Sequence, residues 1–300
     1  MKIFAIIVTY NAMHRGWIDR CMQSLQSSTI PIIAIVVDNL STDGTREHVP
    51  ACYPDAVWLP QDKNLGFGQA NNIGIRYAMK HDPDYVLLLN QDATIAPNAL
   101  SLLIGQGDSE SLMSPLQLNG DGSQLDFMFR IRMRAIQDSF YDDITIRHQL
   151  KEQYPMPDIP AACWLMPKSL IEKIGGFNPL FFHYGEDDNY HNRIRYHKIR
   201  TIVIPQAFMY HDREIHGNQQ MHNKNYCRRL MLVHVCDINK SLTKVAIECF
   251  RLLLRCYTEY YPQRSYKPGE FISSLFWILW HAKSVRHSRK IEKKGTYNWL

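Results

Sequence analysis

Four short apolar runs near the N-terminus constrain this chain more than anything else in it: Ile3–Thr9, residues 32–37, residues 56–59 and Tyr85–Leu89. The best of them are continuous rather than alternating, the pattern of a strand covered on both faces. Between them Trp17, Cys21 and Leu25, with Ile18 and Met22, recur at helical spacing, and residues 69–79 read as a further helix. Strand and helix in alternation predict an α/β fold, a mostly parallel sheet flanked by helices. Ligands of such sheets bind beyond the carboxyl ends of the strands. The chain places polar residues there: Thr9-Tyr10-Asn11, Asp38 and Asn90-Gln91-Asp92.

With 300 residues, 45% of them hydrophobic and 21% charged, the chain can bury a core and is neither disordered nor a disulfide-stapled scaffold. Its seven cysteines are scattered without a C-x-x-C spacing, so they read as buried free thiols in a reducing compartment. The apolar N-terminus is short and carries no convincing cleavage site, and no run approaches the roughly 18 residues of a membrane span, so the expected location is cytoplasmic.

Further along, residues 115–160 are irregular, with Asn119-Gly120-Asp121-Gly122 as a turn. Residues 161–166 are apolar, Lys168–Ile174 is helical before Gly175-Gly176-Phe177, residues 186–197 form another helix, and residues 201–204 and 207–210 are short strands. Helical patterns dominate from about residue 224. There Leu242, Val245, Ala246, Cys249, Leu253, Tyr257 and Tyr260 make one apolar stripe, expected to pack against the body.

Five segments offer chemistry. Asp38, at a strand end, can accept hydrogen bonds from a nucleobase or ribose, whereas Asp43 in Ser41-Thr42-Asp43-Gly44-Thr45 is better explained as a helix cap. Asn64-Leu65-Gly66-Phe67-Gly68-Gln69-Ala70-Asn71 approaches a dinucleotide G-x-G-x-x-G, but Asn71 replaces its third glycine and the stretch follows the wrong strand. The remaining readings are a glycine turn feeding a phosphate-binding helix N-terminus or a plain turn. Asp92 follows a fully apolar strand, as a ligand of Mg²⁺ or Mn²⁺ would, these ions using one or two carboxylates plus substrate phosphates. Glu186-Asp187-Asp188 gathers three acids after Phe181-Phe182-His183-Tyr184; like charges raise one another's pKa, which suits a general base, though first-turn acids also simply favour a helix dipole. His211 beyond a short strand is either a metal or diphosphate ligand or structural.

In this order the motifs resemble the family-two glycosyltransferases, most closely their bacterial rhamnosyltransferase-like branch, over residues 1–215. The resemblance implies a GT-A fold and inverting transfer of a sugar from a UDP- or dTDP-linked donor to a glycan or lipid-linked hydroxyl acceptor in surface polysaccharide assembly. It implies nucleotide contacts from Thr9, Tyr10, Asn11, Asp38, Asn64, Gly66, Phe67, Asn71 and Gln91, and a divalent metal, Mg or Mn, on Asp92 and His211. Asp187 would be the base, with Glu186 and Asp188 beside it. Asn90 stands where the family's first metal-binding acid usually is, and Asn189 where a later acid often follows, which leaves Asp187 and Asp188 both open as the base. Trp164 is either an acceptor platform or core. The implied organisation is a GT-A catalytic domain over 1–223, divided at about 115 into nucleotide and acceptor halves, and a helical C-terminal extension over 224–300. Rival classes are a non-catalytic nucleotide- or sugar-binding module and an NAD-dependent oxidoreductase, the latter lacking a proper first-turn glycine motif.

The net charge of +5 arises from 34 Lys/Arg against 29 Asp/Glu, and residues 281–300 alone hold six basic residues against Glu292. The body is therefore neutral and no nucleic-acid partner is expected. Residues 271–280, apolar with two Trp, followed by this basic segment read either as a helix lying at an anionic membrane surface, peripheral at the inner face of the cell membrane, or as a last core helix with a solvated end.

Overall fold

A computed structural model describes residues 1–213, 226–255 and 268–300. Its strands are β1 (Ile3–Thr9), β2 (Ile33–Asp38), β3 (Val57–Pro60), β4 (Tyr85–Leu89), β5 (Ala93–Ile95), β6 (Leu112–Asn119), β7 (Tyr154–Pro155), β8 (Cys163–Pro167) and β9 (Thr201–His211). Its helices are α1 (Trp17–Gln26), α2 (Thr45–Cys52), α3 (Phe67–Lys80), α4 (Ala99–Gln106), α5 (Phe127–Met133), α6 (Gln137–Thr145), α7 (Lys168–Ile174), α8 (Glu186–Tyr196), α9 (Tyr226–Cys236), α10 (Leu242–Arg255), α11 (Pro268–Trp280) and α12 (Ala282–Lys294).

One sheet runs in the order β3-β2-β1-β4-β8-β6-β9-β5, with β7 added beside β9. The expected α/β architecture is present, and the continuous apolar runs are explained by a core on each face. Ile3, Ala5 and Ile7 of β1 join α1 and α4 on one side, while Phe4 and Ile6 join α3, α7 and α8 on the other. The parallel ladders β3-β2-β1-β4 occupy the N-terminal half. Beyond β4 the sheet is mixed: β8 runs antiparallel to both β4 and β6, and β6 pairs parallel with β9.

Two sequence expectations are corrected here. Residues 115–160 are not irregular throughout, since they contain most of β6 and all of α5, α6 and β7. The strands expected at 201–204 and 207–210 are one strand, β9, whose register against β6 slips between Pro115 and Leu116. Pro205 lies within that slip and has no N–H to give a ladder, so the pattern breaks in sequence where the strand only bulges.

The C-terminal helices are joined to the body. Helix α9 packs on α8, α10, α11 and α12. The inward face of α12 carries polar groups bonded to the body: Asn178 donates to Ser288 at 2.7 Å and to Glu292 at 2.8 Å, and Arg289 donates to the carbonyls of Val235, Asp237 and Lys240. The basic segment is thus a docked helix with Lys283, Arg286, His287, Lys290, Lys293 and Lys294 on its exposed side. The stripe on α10 packs less than expected: Val245 is buried and Cys249 half-buried, but Leu242 and Ala246 are exposed. Tyr257, Tyr260 and the proposed boundary at 223/224 lie outside the described residues. Of the cysteines, Cys21, Cys163 and Cys236 are buried free thiols, whereas Cys52 is exposed.

Candidate active site

The strand-end residues converge on a cavity of about 510 Å³. Tyr10, Asn39, Asn64, Gly66, Phe67, Asn90, Gln91, Asp92 and His211 line it. The loop after β1 is tied to the loop after β4 by a reciprocal pair: Gln91 accepts from the Tyr10 N–H at 2.8 Å and donates to the Tyr10 carbonyl at 3.1 Å. It is tied to the loop after β2 as well. Ser41 accepts from the Asn11 N–H at 2.9 Å, and the Asn11 side chain accepts from the Thr42 N–H at 2.8 Å. Asp43 accepts from the N–H groups of Thr45 and Met13, but the N-cap of α2 is Gly44, so Asp43 sits one residue ahead of the cap position expected of it.

Three residues expected to touch nucleotide point elsewhere. Asp38 is fully buried, its oxygens taken by the Thr9 hydroxyl at 3.2 Å, the Ser41 N–H and Arg46 at 2.7 Å. Thr9 is fully buried too and serves Asp38. Asn71 is buried and donates to the Phe67 carbonyl within its own helix at 3.0 Å. Burial turns all three into supports for the cavity floor. Asn39, the neighbour of Asp38, lines the cavity instead: it donates to the Asn64 side chain at 3.0 Å and accepts from the Leu65 N–H at 2.7 Å. The glycine of Asn64-Leu65-Gly66-Phe67 is required by contact. Gly66 has φ +77°, and a Cβ there would overlap the backbone carbonyl of Phe182. This turn therefore seats the aromatic segment of residues 181–184 over the cavity.

Pairing of β5 with β9 sets Ala93 opposite His211 and so brings Asp92 beside the imidazole, at 3.2 Å. The other ring nitrogen lies 3.4 Å from Asp126, a residue missed in sequence that also accepts from Arg213 at 3.2 Å. Burial would raise Asp92, but the hydrogen bond and charge of His211 outweigh it and hold the carboxyl below its usual range. Burial would lower His211, and the two carboxylates raise it instead. Among the described residues no group of three or more His, Cys, Asp or Glu could hold a metal alone. Asp92, His211 and the buried, unpartnered Asn90 Oδ1 nevertheless fit an ion whose remaining ligands come from a diphosphate.

A second cavity, of about 440 Å³, adjoins the first and shares Tyr184 and Arg213 with it. Asp187 and Asp188 line it, at the N-terminus of α8. The two acids differ. Asp188 is paired with Arg132 at 2.8 Å, and Arg132 also binds Asp158 at 3.0 Å. Asp187 accepts only the N–H of Asp188, at 2.9 Å, among the side-chain hydrogen bonds of the described residues. Burial, and then the charge of Asp188, raise the Asp187 carboxyl above the ordinary aspartate value. Glu186 is buried behind the cavity with Oε2 unpartnered, and burial followed by Asp187 and Asp188 raises it as well. Preceding them, Tyr184 has φ +67°, an uncommon conformation for a non-glycine residue and one found at functional sites.

Trp164 does not face an acceptor. It is fully buried, with Phe177, Tyr190 and His191 around it at centroid distances of 5.9, 5.5 and 5.0 Å, because central strand β8 turns it into the core. Exposed rings at the cavity mouths include Tyr10, Phe182 and Tyr184.

A family model described as glycosyl transferase family 2 matches residues 4–175. The N-acetylglucosaminyl-diphospho-decaprenol L-rhamnosyltransferase of Mycobacterium tuberculosis is 26% identical over 218 residues, 65% of this chain and 71% of that one. Residues 1–349 of S. aureus TarS superimpose with a TM-score of 0.57 at 16% identity, over 98% of this chain and 90% of that segment. In a longer TarS structure the match spans 44% of that chain. The mannosyltransferase PcManGT from Pyrobaculum calidifontis, solved with GDP-Man and Mn²⁺, gives a TM-score of 0.54 at 17% identity, over 93% of this chain and 87% of that one.

Proposed function

The chain belongs to glycosyl transferase family 2, and from that premise we propose that it moves a sugar, with inversion, from a nucleoside-diphosphate sugar to a hydroxyl of a glycan or lipid-linked acceptor in surface glycan assembly. One observation carries the reading: Asp92 and Asp187 line two adjoining cavities that meet at Tyr184 and Arg213. The donor nucleotide occupies the larger cavity. Tyr10, held by Gln91, forms its edge, Asn11 ties the same loop to Ser41, Asn39, Asn64, Gly66 and Phe67 run along the wall, and Asp38 fixes the loop beneath. Asp92 and His211 would hold Mg²⁺ or Mn²⁺, which when bound neutralises charge on the departing diphosphate. The Mn²⁺ and nucleotide sugar of the mannosyltransferase structure support this choice of ligands.

Asp187 is the base. It takes the acceptor hydroxyl proton as the oxygen attacks the anomeric carbon from the face opposite the diphosphate, whose bond to that carbon breaks with the electron pair. A raised carboxyl is a better proton acceptor than an ordinary one. Asp188 is the weaker candidate because its charge is committed to Arg132. No covalent intermediate is needed, so one unencumbered carboxylate suffices. Whether the sugar is a hexose or a deoxyhexose is set by the shape of the first cavity. Asp187→Asn tests the assignment: donor binding persists while transfer falls by roughly 10²- to 10⁴-fold. Full transfer by that variant would refute it.

The C-terminal helices support attachment to an anionic membrane surface. Ile272, Phe276, Leu279 and Trp280 are exposed on α11, next to the basic outer side of α12. No helix among the described residues is long and apolar enough to cross a membrane. Sedimentation with phosphatidylglycerol liposomes tests this, and equal recovery with phosphatidylcholine liposomes would count against it.

A further inference from the structure

His211 is a buried ring whose orientation has to be set by its neighbours. It ends β9, opposite Ala93 of β5 on one side and Asn119 of β6 on the other, and is 2% exposed. Which nitrogen of such a ring carries a proton follows from what the other one bonds. Nε2 lies 3.2 Å from Asp92 Oδ1 and 3.4 Å from the Asn90 side-chain nitrogen. Nδ1 lies 3.4 Å from Asp126 Oδ2 and 3.4 Å from Arg213 Nη2. A guanidinium only donates, so of these two neighbours Asp126 alone can accept a proton from Nδ1.

The backbone after β6 is folded back to bring Asp126 there. Around the turn at Asn119-Gly120-Asp121-Gly122, the Asn119 N–H donates to the Gln124 carbonyl at 2.8 Å and the Asp126 N–H to the Gln117 carbonyl at 2.9 Å. The carboxylate is 2% exposed and its oxygens are divided. Oδ1 caps α5, accepting from the N–H groups of Met128 at 2.9 Å and Phe129 at 3.1 Å. Oδ2 accepts from Arg213 Nε at 3.2 Å and faces His211. A cap needs one oxygen, and Ser, Thr or Asn supplies it as well as Asp does. The second oxygen is what calls for a carboxylate, and the cap fixes the direction in which it points. Helix α5 also carries Arg132, which binds Asp158 and Asp188, so the residue that meets His211 begins the helix that reaches into the acceptor cavity.

We infer that Asp126 is a positioning residue for His211: its Oδ2 holds the ring in the Nδ1–H form and leaves Nε2 turned toward Asp92 and the nucleotide cavity. The inference rests on the reading of Asp92 and His211 as the metal-binding pair. A histidine binds a metal through an unprotonated nitrogen, and a carboxylate on the opposite nitrogen fixes the ring and strengthens it as a ligand.

Mn²⁺ binding to the full chain, followed by the EPR signal of free Mn²⁺ in the presence of UDP or dTDP, tests this without turnover. Asp126→Asn is the informative change. Asn keeps the cap but turns an amide N–H toward Nδ1, which drives the ring proton to Nε2, the wrong tautomer for a ligand. Mn²⁺ affinity should fall roughly 10- to 100-fold, with nucleotide affinity in the absence of metal unchanged. Asp121→Asn removes an exposed carboxylate from the same turn and should stay within about twofold, because an exposed charge is screened. Asp126→Asn combined with Arg213→Gln should bind Mn²⁺ no better than Asp126→Asn alone. Recovery in that double variant would assign the loss to repulsion by an unpaired Arg213 and overturn the inference, as would undiminished affinity in Asp126→Asn. The wild-type chain offers a check that needs no variant: loaded with Mg²⁺ and nucleotide, its long-range ¹H–¹⁵N NMR spectrum should place the His211 proton on Nδ1, and a proton on Nε2 would overturn the inference too. Failure of the underlying reading looks different. Mn²⁺ affinity that survives both Asp92→Asn and His211→Ala, or no Mn²⁺ binding by the wild-type chain, would refute the metal-binding pair and the inference with it, whereas affinity that needs these two residues and ignores Asp126 would refute the inference alone.

Discussion

The two cavities handle negative charge in opposite ways. In the nucleotide cavity and beneath it every carboxylate is matched: Asp38 by Arg46, Asp92 by His211, and Asp126 by His211 and Arg213. Around the acceptor cavity Glu186, Asp187 and Asp188 are consecutive, only Asp188 has a cationic partner among the described residues, and the other two carboxyls are pushed upward. The first arrangement holds a shape. The second costs stability, and on the proposed reading it keeps a carboxylate reactive, the trade expected where a fold stores unfavourable electrostatics for use.

The largest effect should come from exchanging the two kinds of carboxylate. Asp187→Asn removes transfer by the factor given above, whereas Asp188→Asn, which releases Arg132, should reduce it less; measured kcat for both variants would break the comparison if the order were reversed. Next in size is Arg46→Ala. It leaves Asp38 buried without its cation, and chemical denaturation should show a loss of about 3 kcal/mol. A loss near zero would mean that the floor of the nucleotide cavity is not held this way.

The pH dependence sharpens the contrast. A carboxyl raised in the folded state binds its proton more tightly there than in the unfolded chain. Its contribution is therefore favourable at low pH and is lost as pH rises through the raised value. Melting temperature should consequently fall across the window above the ordinary aspartate pKa of about 4, and less steeply in Asp187→Asn, which should be more stable at neutral pH by on the order of 1 kcal/mol. Activity runs the other way, because the base must be ionised, so kcat/KM should decline as pH drops through the same window. Smallest of all, Lys290→Gln with Lys293→Gln on the outer side of α12 should change stability by less than about 0.5 kcal/mol while weakening any liposome binding. A large destabilisation would show that these lysines do more than face solvent.

Much of the nucleotide half is legible in the sequence, because strands buried on both faces and the polar residues that end them are written in local order. Asn39 is masked in sequence by the more conspicuous Asp38 before it, although its two-sided amide is what the turn at Asn64-Leu65-Gly66 needs. Asn72 was missed similarly; it holds Phe177 by both its N–H and its carbonyl, at 2.6 and 2.8 Å, and so anchors the segment leading to Asp187. The acceptor half was harder to read. Its wall is assembled from α5, α8 and α9, and α5 sits in a stretch whose glycine-rich turn masks the short elements after it.

By itself the sequence determined the alternation of strands and helices in the N-terminal part, the rim on which polar groups gather and the presence of three acids at the head of one helix, since these depend on neighbours a few residues apart. Only the tertiary structure decided that Asp38 turns inward, that Trp164 is core, and that Asp188 rather than Asp187 is claimed by an arginine 56 positions away. The separation of Asp92 and His211 is 119 positions. Charge acts through space and burial, and a chain's local pattern specifies neither until the sheet has brought its distant segments together.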